Sequence, residues 1–301
     1  MPIGIKNTSG ITNVQEFVAK MGGDFAVETV NLHTVEGEKV RERYLRRVDT
    51  KELFACVGHS YNILQNNRAF QHLQPFVDSG KMEIVSGGIG SGGKVCYISG
   101  RVIGSDGEVA HDDRIENYFN IINPFDGIKA VYALFSPRRL NCDNQIRGVL
   151  RDDASKMIRI KHSSQVEMNL TKVMEIVDMA QADFRANLEQ YQFLARRQVN
   201  SADIKKYVTR LWEVEGLARD EISTRTNNIL EGVFEFIHSG IGQNTPSTKG
   251  SFFWLWQGVN GYLNHVDGRN EENRFINLLC GNTANFDQKC FDLAISLANA
   301  A

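Results

Sequence analysis

Seven cationic side chains fall within 25 residues of this chain: Arg138, Arg139, Arg147, Arg151, Lys156, Arg159 and Lys161. Only Asp143, Asp152 and Asp153 oppose them, so residues 138–162 carry +4 while the whole 301-residue chain carries −2. Arg and Lys at this density neutralise phosphates without reading a base sequence. A basic island on an otherwise acidic protein is thus the footprint expected for an anionic partner, nucleic acid first. A solvated face of paired charges would read the same way. A second cluster, Arg41, Arg43, Arg46 and Arg47, surrounds Tyr44. If both clusters face one groove they form a nucleic-acid track.

The run Gly88-Ile-Gly-Ser-Gly-Gly-Lys94-Val95 matches three phosphate-binding templates. These are the dinucleotide fingerprint, the kinase glycine loop and the phosphate-binding P-loop. The first and third need a helix directly after the glycines, because its free N–H groups hold the phosphate. Here a strand-like Val-Cys-Tyr-Ile-Ser follows instead. The kinase template lacks its catalytic loop, DFG triplet and VAIK lysine. The run is therefore expected to be the flexible loop of a β-hairpin, whose Lys94 could clasp a phosphate backbone.

Other chemistry is poorly served. None of the seven histidines sits at metal-ligand spacing from Asp, Glu or Cys. Neither a GxSxG elbow nor an HExxH pair occurs. Asp106, Glu108, Asp112 and Asp113 surround His111 and read as a solvated acidic loop rather than a nuclease site. No catalytic residue, metal or cofactor is expected.

The elements that must position the cations follow from periodicity. Residues 24–58 read as strands around a turn at Glu36-Gly37. Residues 66–77 have apolar positions at helical spacing. Met82–Val85, Val95–Ile103, Tyr118–Ile122 and Lys129–Phe135 read as strands, with Asn123-Pro-Phe-Asp-Gly127 as a turn. Asn141 or Asp143 can cap a short helix running to about Asp152, with Arg147 and Arg151 on one face. Lys156–His162 alternates, so Ile158 and Ile160 point inward while Arg159 and Lys161 point out. Tyr132 and Phe135 could stack bases, though aromatics in a strand belong more often to a core.

Beyond Gln165 the apolar residues recur every three or four positions. Leu170 through Leu194 predict one helix of about 30 residues, ~45 Å long. Further helical patterns cover 202–212, 214–237, 252–266, 271–279 and 286–298. Gly240–Gly250 reads as a polar loop and a flexible point. The fold class expected is α+β. A mixed, mostly antiparallel sheet domain with short helices spans 1–163, and an all-helical domain spans 164–301.

With 42% hydrophobic and 23% charged residues, the composition is that of a globular protein. The N-terminus has no signal-peptide pattern, and no apolar run is long enough for a membrane span. Five cysteines without a CxxC pair read as reduced thiols in a cytoplasmic protein. Trp254 and Trp256 are two positions apart and cannot share a helix face. One is expected near the surface, where it would mark a homo-oligomer interface.

Several short segments fall in a familiar order. They are Tyr61, Gln65-Asn66 and Phe70; the glycine run before Val-Cys-Tyr; Asp126-Gly127; Pro137-Arg-Arg139 with Cys142-Asp-Asn144; and Ile160-Lys-His162. Trp256, Asn260, Tyr262 and His265, then Arg274-Phe275, Leu279 and Gly281, complete the series. Over residues 24–300 the chain resembles the phage/plasmid-like protein family, catalogued as domain of unknown function 932. It departs from that pattern at Arg138 and Leu140-Asn141, where the family is more apolar. The resemblance implies a mobile-element setting inside a bacterial host cell, and it supplies no catalytic residues.

The function expected on these grounds is binding of nucleic acid, DNA ahead of RNA, through a basic surface without catalysis. A single-stranded-DNA-binding or annealing factor for recombination is one form of it. The alternatives are a nucleic-acid- or nucleotide-processing enzyme and an oligomeric structural phage protein.

Overall fold

A computed structural model describes residues 11–146, 157–166, 177–268 and 270–301. Helix α1 (Val14–Lys20) starts at Asn13, whose side-chain oxygen accepts from the N–H groups of Gln15 and Glu16. It buries Val14, Phe17 and Val18. Strands β1 (Val27–His33), β2 (Lys39–Arg47) and β3 (Leu53–Val57) form a small antiparallel sheet in that order. The helical pattern over 66–77 is realised in pieces: α2 (Asn66–Phe70), a tight turn, and α3 (Gln74–Asp78). Pro75 opens α3, where its missing N–H costs no hydrogen bond.

The larger sheet holds β4 (Met82–Gly90), β5 (Val95–Ala110), β6 (Asp113–Pro124) and β7 (Val131–Arg139), each antiparallel to the next. Two short strands, β8 (Asn144–Gln145) and β9 (Met157–Ile160), both pair with β7. Alternation along β7 sorts its side chains. Val131, Ala133 and Phe135 join a core shared with the small sheet and α1. Tyr132 and Leu134 face the opposite way. The rings of Phe25, Phe54 and Phe125 lie 6.1–6.3 Å apart and tie the two sheets together.

The C-terminal part is helical: α4 (Val177–Ala195), α5 (Ser201–Leu211), α6 (Thr224–Ser239), α7 (Phe252–His265), α8 (Glu271–Cys280) and α9 (Asn282–Ala300). Of the long helix predicted from Gln165, the part upstream of Val177 lies outside the described residues. The helix predicted over 214–237 is interrupted. Glu213 and Gly216 adopt positive φ (58° and 85°), and Ser223 caps a fresh start for α6.

Every residue of α7 from Phe252 to Asn264 is buried. A helix covered on every face belongs inside a fold rather than on its surface, and its polar residues Gln257, Asn260 and Asn264 are hydrogen-bonded there. Trp256 packs among Tyr191, Phe253 and Phe291, with ring centroids 4.8–5.8 Å away. Trp254 is 4% exposed and Trp256 fully buried, and their indole N–H groups donate to Gln243 O and Asp287 Oδ1. The expectation of a surface tryptophan is thereby corrected, because partners cover α7 on all sides. The argument for a homo-oligomer loses its footing with it.

Candidate functional site

Among the described residues, most of the sequence-predicted cations already have partners within the protein. Arg139 is fully buried, and its guanidinium donates through Nε and Nη2 to the carboxylate of Asp113 at 2.7 and 2.5 Å. Thr248 Oγ1 donates to the same carboxylate at 2.9 Å. Asp113 is thus no part of a solvated acidic loop. His111 and Asp112 do face solvent, and Asp106 pairs with Arg114. Arg138 lies 4.3 Å over the ring of Tyr118 and donates to its hydroxyl, leaving the side chain 16% exposed.

The N-terminal cluster is engaged in the same way. Arg46 holds Glu28 at 2.7 Å. Arg47 clamps Asp49, whose carboxyl it draws down to about 2, and covers the ring of Phe25. Arg43 donates to the carbonyls of His59 and Tyr61. Arg147, Arg151 and Lys156 lie outside the described residues. The helix expected from Asn141 or Asp143 does not begin there. Asp143 has φ 56°, and Asn144-Gln145 return as β8 against Arg138 and Arg139.

The glycine run is a hairpin, as its context demands. Gly87, Gly88 and Gly90 lie in β4, and the turn itself is Ser91–Gly93. The glycines answer steric needs. A Cβ on Gly93, where φ is 110°, would sit 2.9 Å from Phe25 Cζ. Lys94 follows the turn and is half-buried.

Two of the predicted cations do converge on a cavity. Arg159 and Lys161 are exposed, and neither makes an ion pair among the described residues. With His162 they line a groove of about 440 Å³ whose other walls come from the segments around Ser60–Tyr61 and Gly127–Ala130 and from Tyr132. Lys129, which sequence reasoning passed over, is the third cation of this lining, and no carboxylate lines it. The Asp126 side chain accepts from the N–H groups of Ile128 and Lys129 and holds Lys129 Nζ at 2.8 Å. Burial raises the Asp126 carboxyl, but the bonds from Lys129 and the two backbone N–H groups outweigh it and hold it below its usual range.

Aromatic rings floor the groove. Tyr61 stacks on His162 at 4.5 Å with planes 19° apart. The backbone N–H of Asn62 donates to His162 O and fixes the two segments together. Tyr61 Oη and both ring nitrogens of His162 are buried without a hydrogen bond of normal geometry. Burial lowers the His162 pKa, partly offset by the backbone of Asn62 and Pro124 and by the Asp126 charge. Tyr132, opposite Arg159 in the β7–β9 register, has its ring centroid 5.8 Å from that guanidinium. Phe135 packs on Phe119 at 4.8 Å and belongs to the core.

The family model for a domain of unknown function, DUF932, matches residues 54–286. The chain belongs to this family. No curated protein and no solved structure matches it. The DUF932 match spans every wall of the groove. Three segments that carried the resemblance, Tyr61, Asp126-Gly127 and Ile160-Lys-His162, meet at or beside it. The segments around Arg139, Asn144, Asn260 and His265 meet elsewhere, in a buried polar seam. There Asn144 Nδ2 donates to Gln257, the Gln145 N–H to Asn264, and Asn260 to Asp287. No histidine, cysteine and carboxylate group of metal-binding size occurs among the described residues. No described helix is long and apolar enough to cross a membrane.

Proposed function

We propose that this DUF932 protein binds nucleic acid by holding a short single-stranded segment of DNA in the groove beside β9. The observation that carries the reading is the convergence of Arg159 and Lys161 on a cavity floored by the stacked Tyr61–His162 pair, with Lys129, paired to Asp126, in the same lining. Arg159 and Lys161 are two residues apart on extended chain, about 6.6 Å by its rise. Successive phosphates of an extended strand have a similar spacing. Cations that track a backbone beside aromatic faces are the general solution for single strands. The volume suits a nucleotide unit. The resemblance to phage- and plasmid-borne proteins supports a setting in which single strands arise, during replication and recombination. Strand annealing by ring assembly is left out, since the tryptophan that argued for assembly is buried.

Fluorescence anisotropy of a labelled oligothymidylate, at low and moderate salt, tests the reading. The expected result is binding that weakens steeply with salt, because each neutralised phosphate releases a counterion. A wild-type protein that leaves the oligonucleotide free at low salt would overturn it.

A further inference from the structure

A second cavity, of about 250 Å³, opens among the helices far from the cations in sequence. Trp212 at the end of α5, Tyr262 on α7 and Phe286 on α9 line it, with Ile229 and Leu263 between them. One carboxylate, Asp267, lines the same space. We propose that this cavity is a binding site for a small organic cation bearing a methylated ammonium group.

Three kinds of observation lead there. The rings form a partial cage: Trp212 and Phe286 stand 5.2 Å apart at 67°, so a face and an edge meet at one corner. Aromatic faces attract cations through their quadrupole, tryptophan most strongly. Asp267 adds a full opposite charge at close range. Burial and then the Asp267 charge push the Tyr262 phenol up.

The apolar lining decides which cation fits. A primary ammonium would have to aim all three N–H donors at the few polar groups of the lining, since Trp212, Phe286, Ile229 and Leu263 offer no acceptor, and stripping its water is costly. Methyl groups replace those donors with apolar surface that the same side chains can cover. Asn282 and Thr283, in the first turn of α9, complete the lining. That helix end carries partial positive charge, which disfavours a cation against it and leaves Asp267 as the lining's attractive charge.

Choline and its uncharged isostere 3,3-dimethylbutanol separate charge from shape. Titration of each into the full chain, followed by calorimetry and by tryptophan fluorescence, should show saturable binding of choline. The isostere should bind about tenfold more weakly, as the loss of a cation–π and a Coulombic contact implies. Asp267→Asn should weaken choline and leave the isostere unchanged. Trp212→Leu should weaken choline in a protein whose melting curve shows it still folded. Equal binding of choline and the isostere would reduce the cavity to an apolar pocket and sink the proposal. So would the lack of saturable choline binding, or Asp267→Asn indistinguishable from wild type. None of these outcomes depends on the groove beside β9.

Discussion

The Arg139 guanidinium and the Asp113 carboxylate meet through two hydrogen bonds, at 2.7 and 2.5 Å, with neither side chain exposed to solvent. The pair joins the start of β6 to the end of β7 and takes a third bond from Thr248 in the loop before α7. Removing one member strands the other charge in the interior. Arg139→Met alone should cost about 3–5 kcal/mol in urea unfolding. Adding Asp113→Leu should recover most of that loss, since an apolar pair of similar size carries no stranded charge. A single variant as stable as wild type would refute the structural role.

The groove can be tested against the cations that the fold has already used. Arg159→Glu with Lys161→Glu should abolish oligonucleotide binding while leaving the unfolding free energy within ~0.5 kcal/mol of wild type. Milder Arg159→Gln with Lys161→Gln should lower the slope of log affinity against log salt by about 1.4, as expected for two fewer contacts to a single strand. Arg46→Gln, which removes a partner of Glu28, should leave binding intact. Equal loss from Arg46→Gln would mean that net charge, rather than the groove, carries the affinity.

His162 gives the fold a pH dependence of definite sign. Its folded pKa lies below the ordinary 6.5, mainly through burial, so on acidification the unfolded chain takes up the proton first. Stability from this residue is complete above about pH 6.5 and is lost as pH falls below it, by at most ~1.4 kcal/mol per pH unit. His162→Phe keeps a ring against Tyr61 and removes the titrating group. Melting curves at about pH 7.5 and 5.5 should therefore converge in the variant relative to wild type. Part of the dependence should persist, because burial also lowers the His265 pKa.

The glycine hairpin should behave as packing and not as a nucleotide site. A Cβ on Gly87 would lie 2.5 Å from Phe17 Cε1 and 2.9 Å from Tyr97 O. Gly87→Ala should thus cost about 1–3 kcal/mol by overpacking. ATP and NAD should leave the melting temperature unmoved, whereas a ligand at 100 times its Kd would add about 2.7 kcal/mol. A clear shift with either nucleotide would reverse this assignment.

Strand positions, the hairpin and the helical C-terminal part were legible because period and turn chemistry are local properties. Charge pairing is not local. A count of cations over 138–162 treats each as free, yet Arg138 and Arg139 lie opposite β6, where Tyr118 and Asp113 absorb them. Counting outward from the turn at Asn123–Gly127 would have brought Asp113 within two residues of Arg139, since Ile115 is its register partner. Lys129 escaped notice because it reads as the first residue of a strand. Its role depends on Asp126 folding back on it. The tryptophans of α7 misled for a related reason: helical geometry says which residues share a face, not how many faces have neighbours.

The walls of the groove come from segments within residues 58–61, 127–132 and 159–162, and the last of these is held by the pairing of β9 with β7. During synthesis, β7 is complete many residues before β9, the last of its three partners, emerges. A nascent chain could thus complete the small sheet and four strands of the larger one while having no place to hold a ligand. The groove has all its walls only once residues 157–162 have docked. Oligonucleotide binding to a stalled or truncated chain would consequently report on that single docking event, and not on the folding of the sheet as a whole.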